Sequence, residues 1–164
     1  MNKSLEKLKK LHELCILHGI KISTAESCTG GFISKLITDL SGSSKFYVGS
    51  IIAYSNNVKC DHLNVPNDVI QKYGAVSKEV SRLMAEGLFE CMECNIAIAT
   101  TGLMELDKSS NSKMPQVFIA IKSDNTLSVS HFPLHGNRQE NRLNTVNYTF
   151  DCLYDFIHKN YLVS

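Results

Sequence analysis

The chain has 164 residues, with Lys+Arg 17 against Asp+Glu 16 and a formal net charge of +1. That length suits one domain, and 43% hydrophobic residues suffice for a substantial core. Near-neutrality excludes a protein whose main task is coating nucleic acid or a membrane, because such partners select clustered positive charge. No apolar run approaches the ~20 residues that a membrane helix requires. Met1-Asn2-Lys3-Ser4 leads into a charged stretch rather than a signal peptide's apolar centre. A single cytoplasmic domain over residues 1–164 is therefore expected.

Residues 4–18 carry Leu5, Leu8, Leu11, Leu14, Cys15 and Leu17 among Lys and Glu, near a 3.6-residue period, with Gly19 as a stop. Lys21 to Ala25 reads as a strand. Ser27-Cys28-Thr29-Gly30-Gly31 breaks it, and Ile33, Leu36, Ile37 and Leu40 resume helical spacing. After the turn Ser41-Gly42-Ser43-Ser44 comes a buried strand, Phe46 to Tyr54, then a helix from Asn56 to Leu63 that ends before Pro66. Val69 to Tyr73 is a helical turn closed by Gly74, and Ser77 caps a longer helix bearing Val80, Leu83, Met84, Leu88 and Phe89. Asn95 to Thr101 predicts a small apolar strand, and residues 102–115 a polar loop. Val117 to Ile121 and Leu127 to Phe132 flank Asp124-Asn125 as a hairpin, and a last helix runs from Gln139 past Ile157. Strands alternating with helices, plus one hairpin, predict an α/β fold. It is a three-layer α/β/α sandwich around a mixed, mostly parallel sheet of about five strands.

Chemistry concentrates at Thr24-Ala25-Glu26-Ser27-Cys28-Thr29-Gly30-Gly31, where a strand ends and a helix begins. The first N–H groups of a helix lack partners and carry partial positive charge, so such a turn can hold a phosphate or an acyl-transfer oxyanion. Ser27 is the hydroxyl nearest those donors. The plainer reading is that Ser27 or Thr29 caps the helix and the glycines punctuate a loop. A nucleophilic serine needs a base. His131 and His135 fall in no recognisable catalytic arrangement and read as loop or surface residues. Lys59, just after a buried strand, could lose solvation and with it part of its basicity. As a solvated helix-surface lysine it would do nothing of the kind.

Thr24 to Gly31, the Ser41-Gly42-Ser43-Ser44 turn, Tyr54-Ser55-Asn56-x-x-Lys59 and Tyr73-Gly74-Ala75-Val76-Ser77 occur in that order. The ordered set resembles the CinA C-terminal-domain family, in its stand-alone form, over nearly the whole chain. The characterised activity of that family is nicotinamide-nucleotide (NMN) amidohydrolysis. The resemblance implies Ser27 as nucleophile, Lys59 as general base and Tyr54 supporting that pair or the substrate. It also implies amides of Cys28, Thr29, Gly30 and Gly31 as the oxyanion or phosphate cradle, and contacts to substrate from Thr101, Gly102, Arg138 and Arg142. Arg138 and Arg142, four residues apart, share one helix face and could bind phosphate. The implied chemistry needs no metal and no cofactor. The implied partners are an NMN-like nucleotide and a second copy of the chain in a homo-oligomer, a homodimer being the simplest, with no nucleic acid or membrane.

The chain departs from the family after the Ile96 strand. The family's Ser-Gly-Ile-Ala-Gly-Pro and Lys-Pro-Val-Gly become Thr101-Gly102-Leu103-Met104-Glu105-Leu106 and Lys113-Met114-Pro115-Gln116. Glycines and a proline are lost while Glu105 and Asp107 add negative charge, so a non-catalytic nucleotide-binding module, or an amidase for another small substrate, is also compatible. Cys91-Met92-Glu93-Cys94 has no second pair at zinc-ribbon spacing, and the six cysteines are expected to be buried and reduced.

Overall fold

A computed structural model describes residues 2–106 and 113–162. The elements in chain order are α1 (Asn2–Leu17), β1 (Ile22–Glu26), α2 (Phe32–Thr38), β2 (Tyr47–Ile52), α3 (Asn56–Leu63), α4 (Asn67–Tyr73), α5 (Lys78–Cys91), β3 (Ile96–Leu103), β4 (Gln116–Lys122), β5 (Leu127–Pro133) and α6 (Arg138–Ile157). Each predicted element is present, but β2, expected to be a buried strand, lies at the sheet edge with Val48 and Ile52 exposed. The loop expected over 102–115 starts later than predicted, because Gly102 and Leu103 continue β3 and pair with Val117 and Gln116. Its central residues, Asp107 among them, lie outside the described ones.

The sheet order is β2-β1-β3-β4-β5. β1 runs parallel to both β2 and β3, β4 is antiparallel to β3, and β5 is antiparallel to β4. All strands but β4 therefore point the same way, and the sheet is mixed, as expected. The ends of β1, β2 and β3 that carry Glu26, Ile52 and Thr100 lie side by side. Crossover connections leave from this edge, where α/β sheets bind ligands.

Side-chain size alternates across the sheet and sets the two helix layers apart. On one face Ile22, Ile96, Ile98, Val117, Ile119 and Ile121 pack with Leu8, Leu11, Ile33, Ile37, Val146 and Phe150 from α1, α2 and α6. On the other face Ala25, Ala97, Ala99 and Ala120 present methyl groups to α3, α4 and α5. Alanines let α5 lie close, and it spans β3 and β4. α1 lies along α6, with Lys7 paired to Asp151. Among the described residues no helix is long and apolar enough to cross a membrane.

Close approach continues one layer out. A Cβ built on Gly87 of α5 would stand 1.9 Å from the Leu63 carbonyl oxygen at the end of α3. No rotamer relieves a backbone clash of that depth, so α3 must move. Gly87→Ala is expected to lower stability by about 3 kcal/mol or more, as overpacking against an immobile group does. Urea denaturation checks this, and a midpoint equal to wild type would show that the helices separate freely.

Candidate functional site

The turn after β1 is built around a buried acid. Glu26 is fully buried, and its Oε2 accepts the N–H groups of Gly31 (3.0 Å) and Ile33 (3.1 Å). Its Oε1 accepts the Ser34 N–H at 2.8 Å and the Ser34 hydroxyl. Ser34 is held in turn by Tyr47, whose hydroxyl lies 2.8 Å from both the Ser34 and Thr24 oxygens. Burial pushes the Tyr47 phenol above its ordinary pKa. The short helix α2 has no capping side chain at Gly31, so the carboxylate of Glu26 is what meets its free donors and its dipole.

This arrangement corrects two expectations. Neither Ser27 nor Thr29 caps α2; the helix starts from Gly31 in the left-handed region (φ 89°), after Gly30 at φ 56°. The expected anion cradle is also smaller than four amides. Gly31 donates to Glu26 and Gly30 donates to the Ser27 carbonyl (3.2 Å). The amides of Cys28 and Thr29 make no backbone hydrogen bond among the described residues. The tight double-glycine turn is the physical cause, since it folds the helix's first donors back onto the chain's own acceptors.

Ser27 is 8% exposed, anchored by its N–H to the Thr100 carbonyl (3.0 Å). It opens onto a cavity of about 270 Å³ whose wall includes Cys28, Tyr54, Lys59, Thr101 and Arg138. That is just under the ~300 Å³ at which drug-sized ligand sites begin, room for a ring-sized head group rather than a whole nucleotide. Gly102, Asn56 and Val76 complete parts of the wall. Thr101 donates its hydroxyl to the Ala75 carbonyl (2.7 Å), which ties β3 to the chain before α5.

Lys59 is only 1% exposed, so the surface-lysine reading fails. Ser55 caps α3 by accepting the Val58 N–H (3.3 Å), and Lys59, four residues on, lies on the buried face of the helix. Its Nζ donates to the carbonyls of Ala53 (2.8 Å) and Tyr54 (3.3 Å). Burial lowers its pKa from the ordinary 10.5, with Cys28 and Cys60 opposing the shift weakly. Two carbonyls can take both hydrogens of a neutral amine, leaving its lone pair for a proton. No Ser27–Lys59 hydrogen bond occurs among the described residues; the two side chains share a cavity wall. The Cys28 thiol beside them is pushed up to about 12 by burial, so it is no competing nucleophile.

The arginines part company. Arg138 lines the cavity, donating to Glu105 Oε1 (3.0 Å) and to the Tyr54 hydroxyl (3.3 Å). Arg142 is not among the lining residues. It donates to the Thr29 carbonyl (2.6 Å), its guanidinium 5.7 Å from the Phe32 ring, and so braces the turn from outside. His131 bonds Gln116 and stacks on Phe118, away from the cavity. Against the expectation of buried cysteines, Cys60, Cys94 and Cys152 are half-buried and Cys91 is exposed, the last because α5 ends there and the chain leaves the core. All six cysteines are free thiols.

Three residues that sequence reasoning gave no role prove central. Glu26 had a signal, an acid just before a helix start. Asn141 had none: it is fully buried, and its amide donates to the carbonyls of Met104 and Gly136 (both 2.7 Å) while accepting the Gly136 N–H (2.8 Å). It fastens the end of β3 to the start of α6. Glu105 was noted for its charge, and it pairs with Arg138 beside that fastening.

The profile of the CinA C-terminal domain matches residues 5–157. A CinA-like protein of Syntrophomonas wolfei is 40% identical over 136 residues, covering 82% of this chain and 33% of that protein. A CinA-like protein of Geotalea daltonii is 42% identical over 128 residues, covering 77% and 31%. The chain thus spans about a third of the length of these curated relatives. Among solved structures, the competence/damage inducible protein CihA of Agrobacterium tumefaciens superposes with a TM-score of 0.85 at 32% identity, covering 93% of this chain and 94% of that one. The competence damage-inducible protein A of Klebsiella pneumoniae reaches 0.88 at 22% identity, covering 93% and 95%, a likeness of fold.

Proposed function

The chain belongs to the CinA C-terminal domain family, and on that premise we propose that it is a Ser-Lys amidohydrolase acting on the carboxamide of nicotinamide mononucleotide. The observation that carries this reading is the buried Lys59 amine, stripped of water and held by two carbonyls on the same cavity wall as Ser27.

The Ser27 hydroxyl attacks the carboxamide carbon as its proton passes to the neutral Lys59 amine. The amides of Cys28 and Thr29 receive the oxyanion. The Lys59 ammonium returns the proton to the departing nitrogen, and ammonia leaves. Water, deprotonated by Lys59, then hydrolyses the acyl-serine to the carboxylate and frees Ser27. Tyr54 positions the base through its carbonyl and Arg138 through its hydroxyl, leaving Arg138 at the mouth for the substrate phosphate.

Ammonia release from the mononucleotide by purified protein tests this, measured across pH. Lys59 must be neutral to act, so the rate is expected to rise with pH through a single ionisation below 10.5 and then level off. Tight binding without turnover at any pH would instead identify a nucleotide-binding module. That second reading draws on the Lys59 amine being bonded to carbonyls and not to Ser27.

A further inference from the structure

The cavity mouth carries its own anion. Glu105 Oε1 accepts from Arg138 Nη1 at 3.0 Å while Arg138 Nη2 reaches the Tyr54 hydroxyl, so the guanidinium that lines the cavity is already paired. Both side chains are about half exposed, at 48% and 56%, and the fold supports the pairing by bringing their backbones together. Asn141 holds the Met104 carbonyl, next to Glu105, against the chain that starts α6, three residues after Arg138. The Thr145 hydroxyl reaches the Met104 sulfur at 3.9 Å on the same side.

An arginine paired with a carboxylate offers a phosphate less than a free one does. The incoming anion must displace Glu105 and then sit beside its negative charge. A ligand that lacks the phosphate meets neither obstacle, because its ring and carboxamide occupy the interior beside Ser27 and Lys59.

We propose that Glu105 is a specificity-determining residue: by holding Arg138, it narrows the margin by which the site favours a mononucleotide over the dephosphorylated nucleoside. This rests on the reading of the cavity as a nicotinamide-nucleotide site. It assigns to one residue of the 103–116 segment the substrate consequence of that segment's acidic character. Glu105→Gln preserves size while replacing the charge-assisted contact to Arg138 with a neutral hydrogen bond that a phosphate displaces more easily.

Binding is measured by calorimetry with nicotinamide mononucleotide and nicotinamide riboside, in a Ser27→Ala background so that no turnover intervenes. Glu105→Gln is expected to tighten the mononucleotide about tenfold, the scale of one freed charge-assisted contact, and to leave the riboside within about twofold. With Arg138→Ala also present, the Glu105→Gln gain is expected to vanish, since Glu105 acts through that guanidinium. The proposal is overturned if mononucleotide affinity is unchanged, if both ligands tighten alike, if neither binds, or if the gain persists without Arg138. A selectivity shift in a protein that releases no ammonia would sink only the amidase reading. Ammonia release with no shift would sink only this one.

Discussion

Ser27→Ala and Lys59→Ala are each expected to lower ammonia release from nicotinamide mononucleotide by ~10²-fold or more, the scale of a missing nucleophile or general base. The two losses are not expected to add. Residues that act on one proton transfer fail as a unit, so the double variant should sit within about threefold of the worse single one. Lys59 also fills space beneath α3, and its removal to alanine leaves a void. Lys59→Met separates the roles, because methionine fills much the same volume with no proton acceptor. It should denature near the wild-type urea midpoint while remaining as inactive as the alanine variant. A methionine variant within tenfold of wild-type rate would remove Lys59 from the chemistry.

Glu26→Ala should be the most damaging single change for stability near the site. The Gly31, Ile33 and Ser34 amides and the Ser34 hydroxyl all end on that carboxylate, inside a region water does not enter freely. A buried donor left without an acceptor costs about 1–3 kcal/mol, so losing the group should cost about 3 kcal/mol or more. Glu26→Gln discriminates between shape and acceptor count. Whichever way its amide is turned, an NH₂ must face donors that Oε1 or Oε2 now accepts, so an intermediate loss is expected. Chemical denaturation of both variants reads the effect. A glutamine variant as stable as wild type would mean that the turn holds itself without an anion.

The fold was largely legible because its signals are local. Leucine spacing in α1, Ser77 before α5, and alternating β-branched residues in β4 each report a buried face or a cap within a few residues. Leu103 was misplaced in a loop because nothing nearby records its partner; it is a strand residue only by virtue of Gln116 across the sheet. The same divide runs through the site. Ser27 and Lys59 were singled out by motif, whereas the burial of Lys59 is settled only by how α3 packs. The fates of the backbone donors and of the two arginines were not legible. Whether Gly31 offers its N–H to a ligand depends on where the Glu26 side chain turns, and whether Arg138 is free depends on Glu105, brought near it by Asn141.

Assembly of this sheet must be uneven. β3, β4 and β5 are neighbours in sequence and form a meander whose ladders close loops far shorter than the span from β1 to β3. β1 meets β3 only when Ile22 finds Ile96, with α2, β2, α3, α4 and α5 in between. Loop-closure entropy makes the meander the cheaper nucleus and the β1 pairing a late event. Glu26 and Ser27 stand at the end of that late strand. The residues that would do the chemistry are therefore in place only once the rest of the sheet is, and a partly folded chain is left with a meander and no site.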